Sequence, residues 1–448
     1  MTAEAIGAER RMVFGHPRGL VTVAATEFWD RVSFHGMQAL LVLYMVDQLL
    51  LPGHVEHILG FAGVRAAIET FTGPLSVQAL ASQIFGLYVG LVYFTPVFGG
   101  WLGDRVLGRT GAVSLGAALM TAGHFCMAFE QSFLPALLLL ILGAGTLRGN
   151  LAPQLGELYA RDDRRRTFAF QLYGSAVNLG AFAAPLATGL LQRAYGWHVA
   201  FAFAGIGMAV GLVGYLLGRG TLPPEPARAH AEPMPPLSAQ ERRVVALLLL
   251  LVPVASTFWI AQSQIWNTYN LWARDHVELH LGSFEMPVVW LQSIDGLAPF
   301  LCLPLVLWLW RRQAARGREP DEFTKIALGC FIFGVSTLWL ALAQYIAGPD
   351  GRAPLVWAIL FHLSSNVGWL FFSPTITALY SRAAPRKVGA TMMGVYYLSI
   401  FLGSTISGRL GGLYETVSPA MFWTLHAAVS AGGGAAMLIL GRAMRRAL

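Results

Sequence analysis

Residues 218–243, "GRGTLPPEPARAHAEPMPPLSAQERR", are proline-rich and polar and contain no run able to cross a bilayer. Long apolar runs lie on both sides of this stretch. A crossing helix needs ~20 predominantly apolar residues. Twelve segments meet that requirement: roughly 20–50, 80–102, 111–130, 134–160, 167–192, 198–218, 243–272, 286–311, 323–347, 353–381, 388–413 and 418–442. The polar stretch divides them six and six. It therefore reads as a linker between an N-terminal half, 1–217, and a C-terminal half, 244–448. A further loop, 52–79, is expected after the first span.

Composition agrees with an all-α membrane protein. The chain of 448 residues is 55% hydrophobic and 12% charged, where soluble domains carry about 25% charged residues. Its three cysteines, Cys126, Cys302 and Cys330, sit inside apolar runs and form no CxxC pair, so no disulfide framework or zinc site is indicated. His54 with His57, and His276 with His280, read as loop histidines rather than a metal centre. The first 19 residues hold Arg10, Arg11, His16 and Arg18 without an apolar core and read as a cytoplasmic tail rather than a cleaved signal peptide.

The net charge of +7 is explained by topology. With both termini placed inside, Arg65, Arg193, Arg274, Arg352 and Arg409 fall on the outer side, and Arg31 and Arg148 fall within spans. Every other Lys and Arg falls in an inner segment, including Arg161, Arg228 and Lys387. This obeys the positive-inside rule and removes the need for a nucleic-acid partner.

Two six-span halves joined by a polar inner linker form the architecture of a major facilitator: two six-helix bundles that rock around a mid-membrane substrate site. The inner loop after the second span, "GGWLGDRVLGRTG" at 99–111, supports this. Its Gly100, Asp104, Arg105, Gly108 and Arg109 resemble the facilitator signature, in which an Asp and basic residues latch the inner face.

Ionisable groups inside a bilayer are costly and mark function by default. In "TEFWDRVSFHG", 26–36, Glu27 lies ~14 Å and Arg31 ~20 Å along a span starting at Arg18, at a rise of 1.5 Å per residue. Glu27, Asp30 and Arg31 share a helix face at i,i+3 and i,i+4. Two carboxylates and one guanidinium leave an excess negative charge that favours taking up a proton. Arg148, in "GAGTLRGN" of the fourth span, needs a carboxylate, and Glu27 or Asp30 is its expected partner; it could also grip an anionic substrate group. Glu157 and Arg161, at the inner end of that span, read as an inner-gate pair or a solvated helix end rather than a binding element. Asp295, in "WLQSIDGLAPF", has no basic residue within a turn and suits a substrate amine or a proton. Tyr173, Asn178, Trp259, Gln262, Ser263, Gln264, Trp266, Asn267, Asn366, Trp369, Tyr396 and Tyr397 complete the expected amphipathic lining, and His35, beside Arg31, reads either as tuning the proton site or as satisfying a polar pocket. No nucleophile–base pair, metal quartet or HExxH points to an enzyme.

These residues resemble the proton-dependent oligopeptide transporter family. The similarity is carried by "HPRGL", "TEFWDRVSFHGMQALLVLYM", "GLVYFTPVFGGWLGDRVLG", "VNLGAFAAPL", "LQSIDGLAP", "FFSPTITALYSRAAP" and "MMGVYYLS", which together extend over nearly the whole chain. The family's first-span motif, Glu-x-x-Glu-Arg-Phe-x-Tyr-Tyr-Gly, is matched by Glu27, Arg31 and Gly36, with Asp30 in place of the second Glu. Its tyrosines fall at Phe34 and His35, and the next basic residue at Gln38. The family's fourth-span Lys falls at Arg148, its seventh-span Glu at Ser263, its eighth-span Asn at Asp295, and its tenth-span Glu, which grips the peptide amino terminus, at Trp369.

The resemblance implies a proton-coupled symporter of di- or tripeptides or peptide-like solutes. It assigns Glu27, Asp30, Arg31 and Arg148 to proton coupling. Arg31, Phe34, His35, Gln38, Arg148, Tyr173, Asn178, Trp259, Ser263, Asp295, Trp369 and Tyr396 are assigned to the substrate. The rebuilt amine clamp at Trp369 and Ser263 leaves a non-peptide anion or metabolite as the alternative cargo. The expected setting is the plasma membrane, with the proton as coupling ion, no other cofactor, no metal, a lipid bilayer as surroundings and no obligate protein partner.

Overall fold

A computed structural model describes residues 12–160, 162–225, 236–349 and 351–445. Arg10, Arg11, Arg161, Arg228 and Arg446, with linker residues 226–235, lie outside the described residues. The chain is almost entirely helical. Its helices are α1 Arg18–Tyr44, α2 Phe61–Thr72, α3 Val77–Phe94, α4 Pro96–Leu102, α5 Arg109–Cys126, α6 Phe133–Glu157, α7 Arg165–Tyr195, α8 Trp197–Gly218, α9 Ala239–Ser263, α10 Thr268–His276, α11 Ser293–Ala314, α12 Glu322–Ala347, α13 Val356–Ala383, α14 Gly389–Gly411 and α15 Pro419–Met444. Two short antiparallel pairs, Met12–Val13 with His16–Pro17 and His280–Leu281 with Phe284–Glu285, are the strands among the described residues.

Ten helical segments among the described residues are long and apolar enough to cross a membrane. The charged α1 and the 18-residue α5 are outside that set. Local chemistry explains several helix starts. Ser238 and Glu241 form a reciprocal capping box before α9. Asp321 caps α12 by accepting the Thr324 N–H at 3.1 Å, and Ser418 precedes Pro419 at the head of α15.

Two expectations change. The loop expected at 52–79 contains α2, a 12-residue helix running from Phe61 to Thr72. The seventh span is broken: α9 ends at Ser263, a tight turn follows, and Asn267, at φ −107° and ψ −109°, starts α10. The Asn267 side-chain amide donates to Ser82 Oγ at 2.6 Å, a contact that a continuous apolar helix would not need.

The residues form two compact units. The first holds the described residues up to Leu40, Glu56–Phe61, and those from Thr95 through Glu225; the second holds Leu41–Val55, Ala62–Phe94 and those from Pro236 onward. In the first unit, glycines let backbones meet. A Cβ on Gly116 of α5 would stand 2.7 Å from the Gly143 carbonyl oxygen of α6. In the second unit, α12 packs on α13 and α15, α9 on α14, and α3 on α14. At the last seam a Cβ on Gly86 would lie 2.8 Å from Gly408 Cα, so backbone faces backbone. Phe258 and Phe372 stack at 3.9 Å between α9 and α13. The outer apolar side chains recur at helical spacing, as in Ile206, Val210, Val213 and Leu217 of α8, which suits contact with lipid.

Candidate functional site

The centre of the first unit is a set of four charges on α1 and α6. Glu27 and Asp30 are fully buried. Arg31 Nη2 lies 2.6 Å from Glu27 Oε1, and Arg31 Nε lies 3.6 Å from Asp30 Oδ2. Arg148 meets Asp30 side-on through one guanidinium edge, Nε donating to Oδ2 at 3.0 Å and Nη2 to Oδ1 at 3.3 Å. Of the two carboxylates offered to Arg148 by the sequence, Asp30 is thus its partner. The Tyr173 hydroxyl of α7 donates to Glu27 Oε2 at 2.6 Å.

Close helix approach makes this geometry possible. A Cβ on Gly180 of α7 would lie 2.7 Å from Arg31 Cβ and 2.8 Å from the Phe28 carbonyl oxygen, so α7 can press on α1 there only with glycine. Phe34 lies under Arg148, with 4.1 Å from the guanidinium carbon to the ring centre. Gln38 is buried, while His35 and Asn178 are partly exposed.

The expectation of excess negative charge in this cluster is corrected. Arg148 completes two carboxylates and two guanidinia, so with all four ionised the set is neutral. The excess belongs to α1 taken alone, and Arg148 of α6 cancels it. His124 of α5 was not singled out in the sequence. It is 1% exposed, and neither ring nitrogen has a hydrogen-bond partner among the described residues.

The inner-loop residues form a second polar cluster. Arg109 Nε lies 3.2 Å from Asp104 Oδ1, and its Nη1 bonds Glu157. Glu157 therefore has a partner in Arg109. Gly108 has φ +74°, a left-handed conformation that favours glycine, and a Cβ there would meet the Glu225 carboxyl at 2.9 Å. That carboxylate, from the start of the linker, accepts the Arg109 and Thr110 N–H groups at 2.8 Å each and caps α5. Burial opposes its charge, but these backbone donors outweigh it and hold Glu225 below the ordinary carboxylate value. Arg105 is exposed, and a Cβ on Gly100 would reach the Gly149 carbonyl oxygen at 3.4 Å.

The remaining candidates lie in the second unit. Ser263 and Tyr396 are buried, Ser263 against Ser404 Oγ at 3.0 Å and Tyr396 beside Tyr380 and Tyr397. Trp259 is 7% exposed beside Phe258 and Phe372. Trp369 packs on the apolar cluster of Ala298, Cys302, Val306, Leu370 and Phe371. Asp295 is the polar exception. Its Oδ1 is 2.9 Å from His362 Nδ1 and accepts the Asn366 amide N–H at 2.8 Å, while His362 Nε2 is 3.0 Å from the Tyr269 hydroxyl. No basic residue lies within a turn of Asp295 along the sequence; the fold supplies an imidazole from another helix. An intramembrane histidine in "LFHLSSN" was the signal available for finding it.

Comparison with known proteins places this geometry in a family. Residues 39–408 match the Major Facilitator Superfamily. A di-/tripeptide transporter of Lactococcus lactis subsp. cremoris is 26% identical, over 95% of this chain and 95% of its own length. A peptide transporter of Yersinia enterocolitica subsp. palearctica is 28% identical, over 94% and 92%. Among solved structures, a peptide transporter POT in complex with sulfate has a TM-score of 0.85 at 25% identity, covering 98% of this chain and 97% of that one. A POT structure in complex with alafosfalin has a TM-score of 0.83 at 26% identity, covering 100% and 99%. The chain is a multi-pass membrane transporter rather than an enzyme: it belongs to the Major Facilitator Superfamily and resembles the proton-dependent oligopeptide transporters within it.

Proposed function

We propose that the protein is a proton-coupled symporter of di- and tripeptides or peptide-like solutes, working by alternating access in the plasma membrane. In this reading it has twelve spans in two six-helix bundles, 1–217 and 244–448, joined by 218–243, with both termini cytoplasmic. The proton is its coupling ion, with no other cofactor and no obligate protein partner. The peptide transporters among its relatives support the cargo.

The observation that carries the reading is the buried, charge-balanced set Glu27, Asp30, Arg31 and Arg148. An uncompensated charge at such a site costs several kcal/mol. A proton alone would leave the set positive, and a substrate carboxylate alone would leave it negative. The two together keep it neutral. A proton on Glu27 releases Arg31, and the freed guanidinium accepts the substrate carboxylate alongside Arg148. Phe34, His35, Gln38, Tyr173 and Asn178 are the substrate candidates that accompany this cluster in the first unit. In the second unit, Asp295 offers a carboxylate suited to an ammonium, where the family's own falls at Trp369. Trp259, Ser263, Trp369 and Tyr396 are the remaining substrate candidates of that unit.

The test is uptake of labelled dialanine by proteoliposomes under an inward proton gradient. Accumulation that collapses when the gradient is dissipated is the expected result. Absence of gradient-driven uptake, together with no thermal stabilisation by a broad peptide library, overturns the peptide reading.

A further inference from the structure

His362 is fully buried in α13, yet both of its ring nitrogens are engaged. Nδ1 lies 2.9 Å from Asp295 Oδ1 of α11 and Nε2 3.0 Å from the Tyr269 hydroxyl of α10. Tyr269 is itself fully buried, stacked on Phe361 at 4.9 Å and edge-on to His362 at 5.0 Å. In the neutral arrangement Nδ1–H donates to Asp295, and Tyr269 O–H donates to Nε2. The ring is then fixed in one tautomer and orientation, as an imidazole is when a carboxylate holds it.

Asp295 differs from its two partners in being open, with a side chain 14% exposed. Its Oδ1 accepts both the His362 and the Asn366 donors, and no hydrogen bond among the described residues engages its Oδ2. Of the elements packed on α13, α11 presents Asp295 to the imidazole and α10 presents Tyr269. Helices α12, α14 and α15 place no other charged or titratable group in hydrogen-bonding or ion-pair contact with His362 or Asp295 among the described residues. His426 of α15 is engaged with Gln264 at 3.1 Å and with the Phe422 carbonyl oxygen.

We propose that Asp295, aimed by His362 and Asn366, is a second proton site of this transporter, at which a proton and a primary ammonium group exclude each other. The step is an exchange. When the site is empty of substrate, a proton from water forms an O–H bond at Asp295 Oδ2, and the carboxyl is neutral. When an ammonium arrives, that O–H bond breaks, the proton returns to water, and the ammonium N–H donates to Oδ2. A neutral acid offers the ammonium no counter-charge, and a carboxylate facing an ammonium no longer attracts a proton. Either occupant cancels the one charge that the Asp295–His362 pair carries with its imidazole neutral. Substrates with a free amine would therefore displace a proton here, whereas N-blocked ones would leave it in place. The ammonium half of the proposal rests on the peptide reading above; the proton half does not.

Two measurements on the full-length protein in nanodiscs test it. The first is infrared difference spectroscopy between acid and neutral pH, with no substrate present. A carboxyl C=O band is expected that disappears in Asp295→Asn and shifts in frequency in His362→Gln, whose amide keeps a donor but not the imidazole. A spectrum unchanged by Asp295→Asn overturns the proposal whatever the cargo. The second, at the acid pH of the first, is calorimetric binding of dialanine and of N-acetyl-dialanine in buffers of different ionisation enthalpy. Dialanine should release one proton more than its N-acetyl form in the wild type, and this difference should vanish in Asp295→Asn. Equal proton release by the two ligands in the wild type overturns the exchange. If neither ligand binds while the infrared band behaves as expected, the peptide reading fails and the proton site stands.

Discussion

Asp30 joins two helices through one carboxylate: Arg148 Nε of α6 lies 3.0 Å from its Oδ2, and Arg31 Nε of α1 lies 3.6 Å from the same atom. Asp30 is fully buried, so neither guanidinium can be lost without stranding a charge.

Removing Arg148 should therefore destabilise the protein. Breaking a buried pair from one side costs about 3–5 kcal/mol. Arg148→Ala should lower thermal stability markedly, and Asp30→Asn in the same chain should restore much of it. The double-variant cycle in thermal unfolding reads the coupling; additive effects would mean that the pair does not interact.

Glu27→Gln fixes the site in the shape of its protonated form and leaves Arg31 without its partner carboxylate. Gradient-driven accumulation should be lost, while counterflow exchange of labelled against unlabelled substrate persists. Normal proton-driven uptake in this variant would refute the role of Glu27.

Gly180→Ala places a methyl group 2.7 Å from Arg31 Cβ. Overpacking of this kind costs about 1–3 kcal/mol. The added methyl should push α7 from α1 and weaken the Tyr173–Glu27 hydrogen bond. The expected result is lower thermal stability with a fall in proton-driven uptake. An unchanged melting temperature would show that α7 does not press on α1 there.

Glu225 gives a pH signature at the inner end. Its value in the folded protein lies below the ordinary 4.5, because the Thr110 and Arg109 N–H groups outweigh burial. A depressed carboxylate contributes stability above the unfolded value and loses it as pH falls through the folded value. Glu225→Gln should therefore melt lower than wild type at neutral pH, with the gap closing below pH 4.5. A gap independent of pH would exclude the carboxylate cap.

The four-charge cluster was legible in the sequence because an ionised group within a span must find a counter-charge. The list of possible partners for Arg148 was short, and the fold selected Asp30 from it. The neutrality of the set was not legible from α1 alone, since it depends on α6 crossing at that level. His362 was passed over for a related reason. It lies 67 residues from Asp295, and no local periodicity reports that pairing. The helix break at Asn267 escaped as well, because "FWIAQSQIWNTYNLW", though polar at several positions, holds no Pro or Gly to end a helix. The contact that accompanies the break is made with Ser82, which is remote in sequence. Polar residues with a local consequence can be read along the chain; those whose partner is a distant helix cannot.

The meeting of α3 with α14 at Gly86 and Gly408 bears on speed. At Gly86 and Gly408 two backbones meet with almost no side-chain area between them, whereas farther along the seam Phe94 and Phe401 face each other at 5.6 Å and the Gln78 and Gln83 amides donate to α14 carbonyl oxygens. Parting the helices uncovers little apolar surface at the glycines, while those side-chain contacts must be given up. On the alternating-access proposal the glycine crossing would act as a pivot. Turnover would then be timed by those contacts as well as by the charged residues, which must exchange partners.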